Sequence, residues 1–337
     1  MENNRKKALN FFITSFNGMA IGLFSTLIIG VILTQFSKLF GNIPGFDFAS
    51  TGLLELSNIL KPMMGIGIGF GVAIALKLDG IKLVVAGVSG GIATKLYNDP
   101  MVAYFATISV YFAFKYILIK KTPLDILLVP LLGTIVAFTI ASLIGSPVLE
   151  AMKAIGDFIH AATSLQPLLM GIVIAVVMGM ALTAPISSAA IAIAISLGGI
   201  AGGAAVVGCS VQMLGFAVMS RKDNSIGTVL SVAFGTSMLQ FKNILRKPII
   251  WLPTIMVSAI LGPVSTLLFK TETLSSGSGM GTSGLVGQFA TLDAMGYELN
   301  TYIGILVLQI ALPIILVYLV DLLFRKNNLI QPGDLKL

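Results

Sequence analysis

Charged side chains are scarce in this sequence, and their scarcity decides the class of protein. Asp, Glu, Lys and Arg make up 10% of the 337 residues, whereas soluble domains carry about 25%. Hydrophobic residues make up 56%, and the mean hydropathy is +0.98. This amount of charge is too small to cover the surface of a water-soluble protein. We therefore predict an all-α polytopic membrane protein with little mass outside the bilayer.

Cysteine and histidine are almost absent. The one cysteine, Cys209, excludes a disulfide within the chain, and the one histidine, His160, excludes a histidine cluster for a metal. We therefore expect no cofactor and no metal. No Walker loop, HExxH motif or nucleophile elbow occurs, so the chain is not expected to be an enzyme. The net charge of +7 lies in short loops, which is typical of membrane topology signals and not of nucleic-acid binding.

Long apolar runs are abundant. About 20 apolar residues cross a bilayer as a helix. The stretch 187–220 has 34 residues, too many for one straight crossing, and its centre, LGGIAGGAAVVG, predicts a break or a re-entrant hairpin. Ten windows qualify as transmembrane or re-entrant elements, near residues 11–35, 62–77, 81–97, 101–119, 124–145, 165–183, 187–220, 226–241, 249–269 and 301–324.

The basic residues indicate an orientation, because Lys and Arg accumulate in cytoplasmic loops. If all ten elements cross, most basic clusters fall on one side, and both termini are then cytoplasmic. Arg221 and Lys222 fall on the other side. This conflict disappears if 187–220 is a hairpin and a neighbouring element does not cross. The clusters that agree are Arg5/Lys6/Lys7, Lys77/Lys82, Lys120/Lys121, Lys242/Arg246/Lys247 and Arg325/Lys326.

The segment 149–164 has an amphipathic helical pattern. Its polar residues, Lys153, Asp157 and His160, lie largely off one apolar face. The pattern predicts an interfacial helix lying on the membrane. The apolar face carries Met152, Ile155, Phe158, Ile159 and Ala162.

Within a single membrane domain, 1–337, the sequence also suggests a duplication, with repeats at 51–150 and 155–265. Pro62 and Pro167 each open a glycine-rich helix, and both halves end in a Gly/Pro stop, IGSPV at 144–148 and LGPV at 261–264. Chance similarity between apolar sequences is the alternative. Secondary transporters with such repeats bind their solute at the repeat interface.

The run Leu274–Gln288, LSSGSGMGTSGLVGQ, is polar and rich in glycine, although apolar segments flank it. Irregular backbone is tolerated at membrane depth only where it is buried in protein or lines a watery cavity. We interpret 274–288 as a re-entrant run that lines a solute cavity. The alternative is a flexible loop outside the membrane.

Small hydroxyl and amide residues recur in three motifs of the sequence. They offer neutral donors and acceptors, which suit a sugar, a polyol or another small polar solute better than a bare cation. Close packing of helices through small residues is the alternative explanation. The candidate substrate-binding residues are Thr183, Ser187, Ser188, Thr236, Ser237, Gln240, Asn243, Gly281, Thr282, Ser283 and Gln288.

These motifs, TAPISSAAI (183–191), FGTSMLQFKN (234–243) and SGMGTSGLVGQ (278–288), resemble those of the EIIC-type membrane subunits of the phosphotransferase system. The likeness extends over residues 10–325 and is greatest to the stand-alone group of perfringolysin regulator-like membrane proteins. It implies a sugar-type permease fold, a homodimer, the cytoplasmic membrane of a bacterium, and separate IIA and IIB proteins as phosphate donors.

Two departures from that family bear on function. Family permeases carry a Thr-Glu-Pro turn whose Glu contacts the sugar, whereas this sequence has Thr183-Ala184-Pro185. They also use an essential histidine, whereas His160 lies in the amphipathic segment. The first hypothesis is an EIIC-like permease for a small polar solute. The alternatives are a membrane sensor or regulator with a permease fold and no net transport, and an ion-coupled secondary transporter.

Overall fold

The computed structural model describes residues 2–41, 43–118 and 122–337. In this part of the chain every regular element is a helix, and the predicted all-α polytopic architecture is confirmed. Two shorter apolar helices, Pro167–Thr183 and Ile226–Gly235, accompany the long ones. Six described helices are long and apolar enough to cross a membrane: Asn10–Lys38, Asp47–Ala75, Asp125–Thr163, Gly199–Ser220, Pro248–Phe269 and Leu299–Lys326.

The chain divides into two compact units, Met1–Ala151 and Met152–Leu337. The boundary lies between the two predicted repeats, but the duplication itself stays a prediction. The first unit contains α1 (Glu2–Leu23), α2 (Ile29–Gly41), α3 (Asp47–Leu60), α4 (Met64–Ala75), α5 (Gly80–Leu96), α6 (Pro100–Tyr116) and most of α7 (Asp125–Thr163).

Close glycine contacts hold the first unit together. A Cβ atom at Gly90 of α5 would meet the carbonyl oxygen of Gly65 of α4, and one at Gly18 of α1 would meet the backbone of Gly71 on the other side of α4. Small residues let helix backbones approach, and this drives helix association in lipid. The glycine-rich sequence of α4 therefore packs α1 and α5 against it.

The second unit is built around α10, whose residues from Gly202 to Ala217 are all buried. The end of α7 contributes Ile159 and Ala162 to the apolar core beside it. The helices of this unit after α7 are α8 (Pro167–Thr183), α9 (Ser188–Ala194), α10 (Gly199–Ser220), α11 (Ile226–Leu230), α12 (Phe241–Arg246), α13 (Leu252–Pro263), α14 (Ser275–Ser278), α15 (Val286–Met295), α16 (Leu299–Gly304) and α17 (Leu312–Lys326).

Two predicted helix ends are wrong. The stop at 144–148 does not occur, because α7 continues through Pro147 to Thr163. The amphipathic segment is therefore not a separate helix. Two residues of its apolar face, Ile159 and Ala162, are buried in the second unit, although Phe158 is 56% exposed. At the second stop, a π-helical turn, Val264–Phe269, follows Pro263 and extends the helix. Proline removes one backbone donor, and a local change of helical pitch can absorb that loss.

Two long apolar windows also need adjustment. The window near 62–77 is the second half of a helical span that begins at Asp47. Hydropathy alone missed the first half of this span because that half carries polar side chains. The stretch 187–220 is broken as predicted, between Ala194 and Gly199, a few residues before its glycine-rich centre.

Candidate functional site

Helix α10 sets the depth scale of the second unit. Its 22 residues span about 33 Å, close to the roughly 30 Å thickness of a bilayer's hydrocarbon core. Its midpoint lies between Cys209 and Ser210. Three neighbouring segments do not run its full length but turn back beside it, and we call them the first, second and third hairpins.

The first hairpin, residues 167–197, consists of α8 and α9. Helix α8 runs alongside α10 with Gly208 against the backbone of Ala175, and it ends where Thr183 bonds Gln212. The chain then turns at Ala184–Ser187 and returns through α9 to the start of α10. Proline at 185 cannot continue α8, which explains why the helix ends inside the unit.

The second hairpin, residues 226–246, begins after the turn at the far end of α10. Thr236 is fully extended and separates a π-helical turn, Ser231–Gly235, from a 3₁₀ turn and α12. Before the hairpin, Asn224 donates to the carbonyl oxygen of Leu335, and on its returning arm Asn243 donates to that of Lys336. Both ends of the hairpin therefore lie at the same end of α10.

This geometry removes one crossing from the ten-element count and agrees with the alternative in which a neighbouring element does not cross. Residues 226–241 do not cross, so Arg221 and Lys222 lie at the same end as Arg246 and Lys247. Arg325 joins them, because its guanidinium donates to the carbonyl oxygen of Met219 at 2.9 Å. The conflict with the positive-inside rule came from counting a hairpin as a crossing.

The third hairpin, residues 274–295, contains the polar run and begins at the opposite end. Gly199, the first residue of α10, exchanges two backbone hydrogen bonds with Thr273, and the backbone N–H of Glu272 donates to the sulfur of Met295. At the tip, Gly281 has φ +52°, and a Cβ there would lie 2.6 Å from the carbonyl carbon of Cys209. The polar run therefore reaches the midpoint of α10.

The tips of the three hairpins meet through hydroxyl groups. Thr282 donates to the carbonyl oxygen of Ala233 at 2.5 Å, and Ser283 to that of Gly235 at 2.8 Å. These bonds join the second and third hairpins, which begin at opposite ends of α10. The first hairpin joins them through two further bonds, Ser188 Oγ to the carbonyl oxygen of Gly279 at 2.7 Å and Thr183 Oγ1 to Ser237 Oγ at 2.8 Å.

A buried glutamine of α10 lies beside these tips. The Oε1 atom of Gln212 accepts hydrogen bonds from Thr183 at 3.2 Å, from the indole of Trp251 at 3.0 Å and from Thr254 at 3.0 Å. An indole N–H only donates, so the amide orientation is fixed with its oxygen toward Trp251. The Nε2 atom is buried and has no hydrogen-bond partner among the residues that the structure describes.

A second buried amide is on the returning arm of the third hairpin. Gln288 Nε2 donates to Gln309 Oε1 at 2.9 Å and to Ser210 Oγ at 3.5 Å, while Gln309 Nε2 donates to Thr291 at 3.1 Å. Within the described part of the chain, the Oε1 atom of Gln288 is buried without a hydrogen-bond partner. The two glutamines therefore leave one donor group and one acceptor unsatisfied.

The structure separates the other predicted residues into different roles. Gln240 and Asn243 donate to backbone carbonyls of the C-terminal segment, so they do not face Gln288. Thr236 accepts from the backbone N–H of Met238, and Ser187 is half-buried. Sequence reasoning missed Ser210, Gln212, Trp251, Thr291 and Gln309; for Gln212 and Gln309, the signal was a single amide within a long apolar helix.

An open, apolar cleft of about 530 Å³ lies beside the first hairpin. It is lined by Trp251, by Ala184 and Ile186 of the turn, and by apolar side chains of α7 and α8. Trp251 thus lines this cleft and also donates its indole N–H to Gln212.

Comparison with known proteins gives one match. The family model described as Phosphotransferase system, EIIC, matches residues 13–337. No curated protein and no solved structure matches the chain.

Proposed function

Because the chain belongs to the EIIC family of the phosphotransferase system, we propose that it is a membrane permease for a small, uncharged, hydroxyl-bearing solute, which it binds where the three hairpin tips meet. The family assigns it the membrane part of a sugar uptake system. The solute class, the position of the site and the mode of transport are our proposal.

The unsatisfied amide atoms of Gln212 and Gln288 carry the proposal. A buried donor or acceptor without a partner costs about 1–3 kcal/mol. Gln212 is a residue of α10, and its Nε2 atom is unpaired. Gln288, whose Oε1 atom is unpaired, lies at the same level of α10, because its Nε2 atom donates to Ser210 Oγ. A hydroxyl group both donates and accepts, so a solute with several hydroxyls can satisfy both atoms.

The solute should carry no net charge. Residues 161–220, 225–241 and 273–292, which form the three hairpins' tips and α10, contain no Asp, Glu, Lys, Arg or His. A charge placed among them would have no counter-charge in a medium of low dielectric constant, which is costly. This distinguishes a free sugar or polyol from a sugar phosphate or an amino acid.

Access from the two sides would come from the second and third hairpins. They begin at opposite ends of α10, and two hydroxyl-to-carbonyl hydrogen bonds join their tips. Outward movement of either one would open the solute layer toward one side of the membrane, as in transporters with broken helices. Separate IIA and IIB proteins would supply the phosphate. We further propose a bacterial cytoplasmic membrane, a homodimer and cytoplasmic termini.

Ala184 favours a second candidate function. It occupies the position at which the resembled permeases have a sugar-contacting Glu, so the chain could bind a solute and signal without transporting it. A sensor would still bind the solute but would not move it across the membrane. An ion-coupled transporter would need a cation gradient and no IIA or IIB protein.

The test has two parts. Ligand-dependent thermal stabilisation of the purified chain should identify a neutral sugar or polyol and should reject its phosphorylated form. Uptake of the radiolabelled solute into proteoliposomes then distinguishes the functions. Uptake that requires IIA, IIB and a phosphate donor supports the permease, uptake driven by a cation gradient alone supports ion coupling, and binding without uptake supports the sensor.

A further inference from the structure

The segment 330–337, which follows α17, is folded back onto the second hairpin. Leu335 is fully buried, and Ile330 is 2% exposed. Both belong to the same apolar core as Val232, Ile244 and Phe216. We call residues 330–337 the strap.

One side of the strap is bound by two residues that precede the second hairpin. The carboxylate of Asp223 accepts from the backbone N–H groups of Gly333 at 3.0 Å and Leu335 at 3.3 Å. The amide of Asn224 donates to the carbonyl oxygen of Leu335 and accepts from the N–H of Leu337, both at 2.8 Å. An amide that pairs with a backbone in this way recognises a peptide backbone whatever its side chains. The strap that it binds is turned, because the N–H groups of Asp334 and Lys336 donate to the carbonyl oxygens of Gln331 and Gly333.

The other side is bound by the returning arm of the hairpin. Gln240 and Asn243 donate to the carbonyl oxygens of Leu335 and Lys336 at 3.0 and 3.1 Å. The ammonium group of Lys247 lies 2.6 Å from Asp334. The strap therefore joins the start of the second hairpin to its end.

The strap's attachment is separable from that of α17. Arg325 is held independently, by Asp321 at 2.9 Å and by the carbonyl oxygen of Met219. Between the two attachments the chain turns at Asn328, which has φ +57°. The Lys247–Asp334 pair is partly exposed, and such pairs contribute little stability. Release of the strap thus needs the turn at Asn328 to open, Ile330 and Leu335 to leave the apolar core, and the hydrogen bonds from residues 223–224 and 240–243 to break.

We propose that the groove formed by residues 223–224 and 240–247 is a peptide-binding site, occupied here by the chain's own strap, which fixes the second hairpin in its seated position. A partner protein that presents a similarly turned segment with an acidic residue followed by leucine displaces the strap. The hairpin tip, 236–237, then moves away from Thr183 and from the third hairpin. This inference goes beyond the proposed function, and its test needs no solute.

Hydrogen exchange of residues 226–246 in the full-length chain is the first measurement. Replacement of Leu335 by Ser removes the buried anchor, so exchange in 226–246 should rise roughly 10- to 100-fold. The matched control is Leu329→Ser, because Leu329 is 41% exposed and should leave exchange unchanged. A charge exchange supplies a second route: Lys247→Asp alone should raise exchange, and Lys247→Asp with Asp334→Lys should restore protection.

Binding of a peptide in trans is the second measurement. A labelled peptide of residues 328–337, NLIQPGDLKL, should bind the Leu335→Ser chain and restore its slow exchange in 226–246. The same peptide with Ser at position 335 should bind at least about 10-fold more weakly, because a buried leucine anchor contributes at least that factor. Unchanged exchange of residues 226–246 in both the Leu335→Ser and the Lys247→Asp chains would contradict the proposal that the strap fixes the second hairpin. Equal binding of the two peptides, or no binding of either, would contradict the proposal that residues 223–224 and 240–247 form a peptide-binding groove.

Discussion

Thr183 and Ser237 share a hydrogen bond of 2.8 Å between their hydroxyl oxygens, although 54 residues separate them. Thr183 ends the apolar helix α8, and Ser237 follows the extended break of the second hairpin. The bond therefore joins two places where the backbone leaves helical geometry inside a membrane protein. Such breaks leave backbone groups that need partners, and transporters use them for solute sites.

Thr183→Val should therefore loosen the hairpin tips. The change keeps the side-chain shape but removes the hydroxyl that bonds Ser237 and Gln212. We expect a loss of about 1–3 kcal/mol in the free energy of unfolding, as for a buried network left unsatisfied. Thermal unfolding in detergent measures it. The control is Thr163→Val, since the Thr163 hydroxyl bonds its own helix in an exposed position; an equal loss in both variants would remove the special role of the Thr183 bond.

Gly281→Ala should displace the third hairpin from α10. Its φ of +52° is unfavourable for alanine, and the new Cβ would lie 2.6 Å from the backbone of Cys209. A backbone clash of this kind costs more than about 2 kcal/mol. Hydrogen exchange of residues 274–295 should rise in this variant and should not rise in Gly227→Ala, because nothing lies within 4 Å of a Cβ at Gly227. Normal protection in Gly281→Ala would contradict the close approach of the polar run to α10.

The topology predicts which positions face each side of the membrane. On a Cys209→Ser background, Lys222→Cys and Lys326→Cys should both resist a membrane-impermeant thiol reagent in intact cells, because both lie at the basic end of α10. Lys270→Cys should react, since Lys270 immediately precedes the chain that pairs with Gly199 at the other end. Labelling of position 326 from outside, or opposite results at 222 and 326, would rule out this topology.

The strap should have a defined dependence on pH. Partial burial acts to raise the pKa of Asp334, but hydrogen bonds from Lys247 and the Gln331 N–H, with the charges of Lys247 and Arg325, outweigh it and lower that pKa. A carboxyl whose pKa is lower in the folded state stabilises it above its unfolded pKa of about 3.9. Its contribution is lost as the pH falls through the lower folded value.

Hydrogen exchange of the second hairpin, corrected for the intrinsic effect of pH, should thus be constant from pH 5 to 8 and should rise below about pH 4. In the Asp334→Asn variant, this acid-induced rise should be smaller, and the Asp223 carboxylate, which accepts from Gly333 and Leu335, accounts for the remainder. A rise between pH 5 and 8 that depends on Asp334 would contradict the lowered pKa.

Several features could be predicted from the sequence. The low charge content and the apolar windows predicted the all-α membrane architecture correctly, and hydroxyl motifs indicated three places, near Thr183, Thr236 and Thr282, that the structure brings into contact. The spacing of these motifs along the chain does not predict that contact. However, polar breaks in apolar helices need polar partners, and at membrane depth other polar breaks are the main partners. Whether these residues bind a solute, and whether 51–150 and 155–265 are repeats that superpose, stay predictions.

Other features could not be predicted, for physical reasons. Hydropathy measures whether a segment prefers lipid, and a hairpin of residues 226–246 has the same preference as a crossing. The contacts of Asn224 and Asn243 with the strap decide between them, and these are long-range. Pro147 was taken to end a helix because proline removes a backbone bond, yet a helix in an apolar environment tolerates that loss. Gln212 was overlooked because a single amide barely changes the hydropathy of its helix.

Binding of the identified solute to the Gln288→Ala variant is the most direct test of a solute site beside the hairpin tips. The change removes the unpaired acceptor on the returning arm of the third hairpin, beside the hairpin tips, so the Kd should rise roughly 5- to 100-fold, the effect of one or two hydrogen bonds. The matched control is Gln166→Ala, an exposed glutamine that precedes α8, and its Kd should stay within about twofold of the wild type, as for a surface change. Calorimetric titration of purified protein gives the value, and unliganded thermal stability shows that each variant is folded. A folded Gln288→Ala protein with wild-type affinity would contradict a solute site at the meeting hairpin tips.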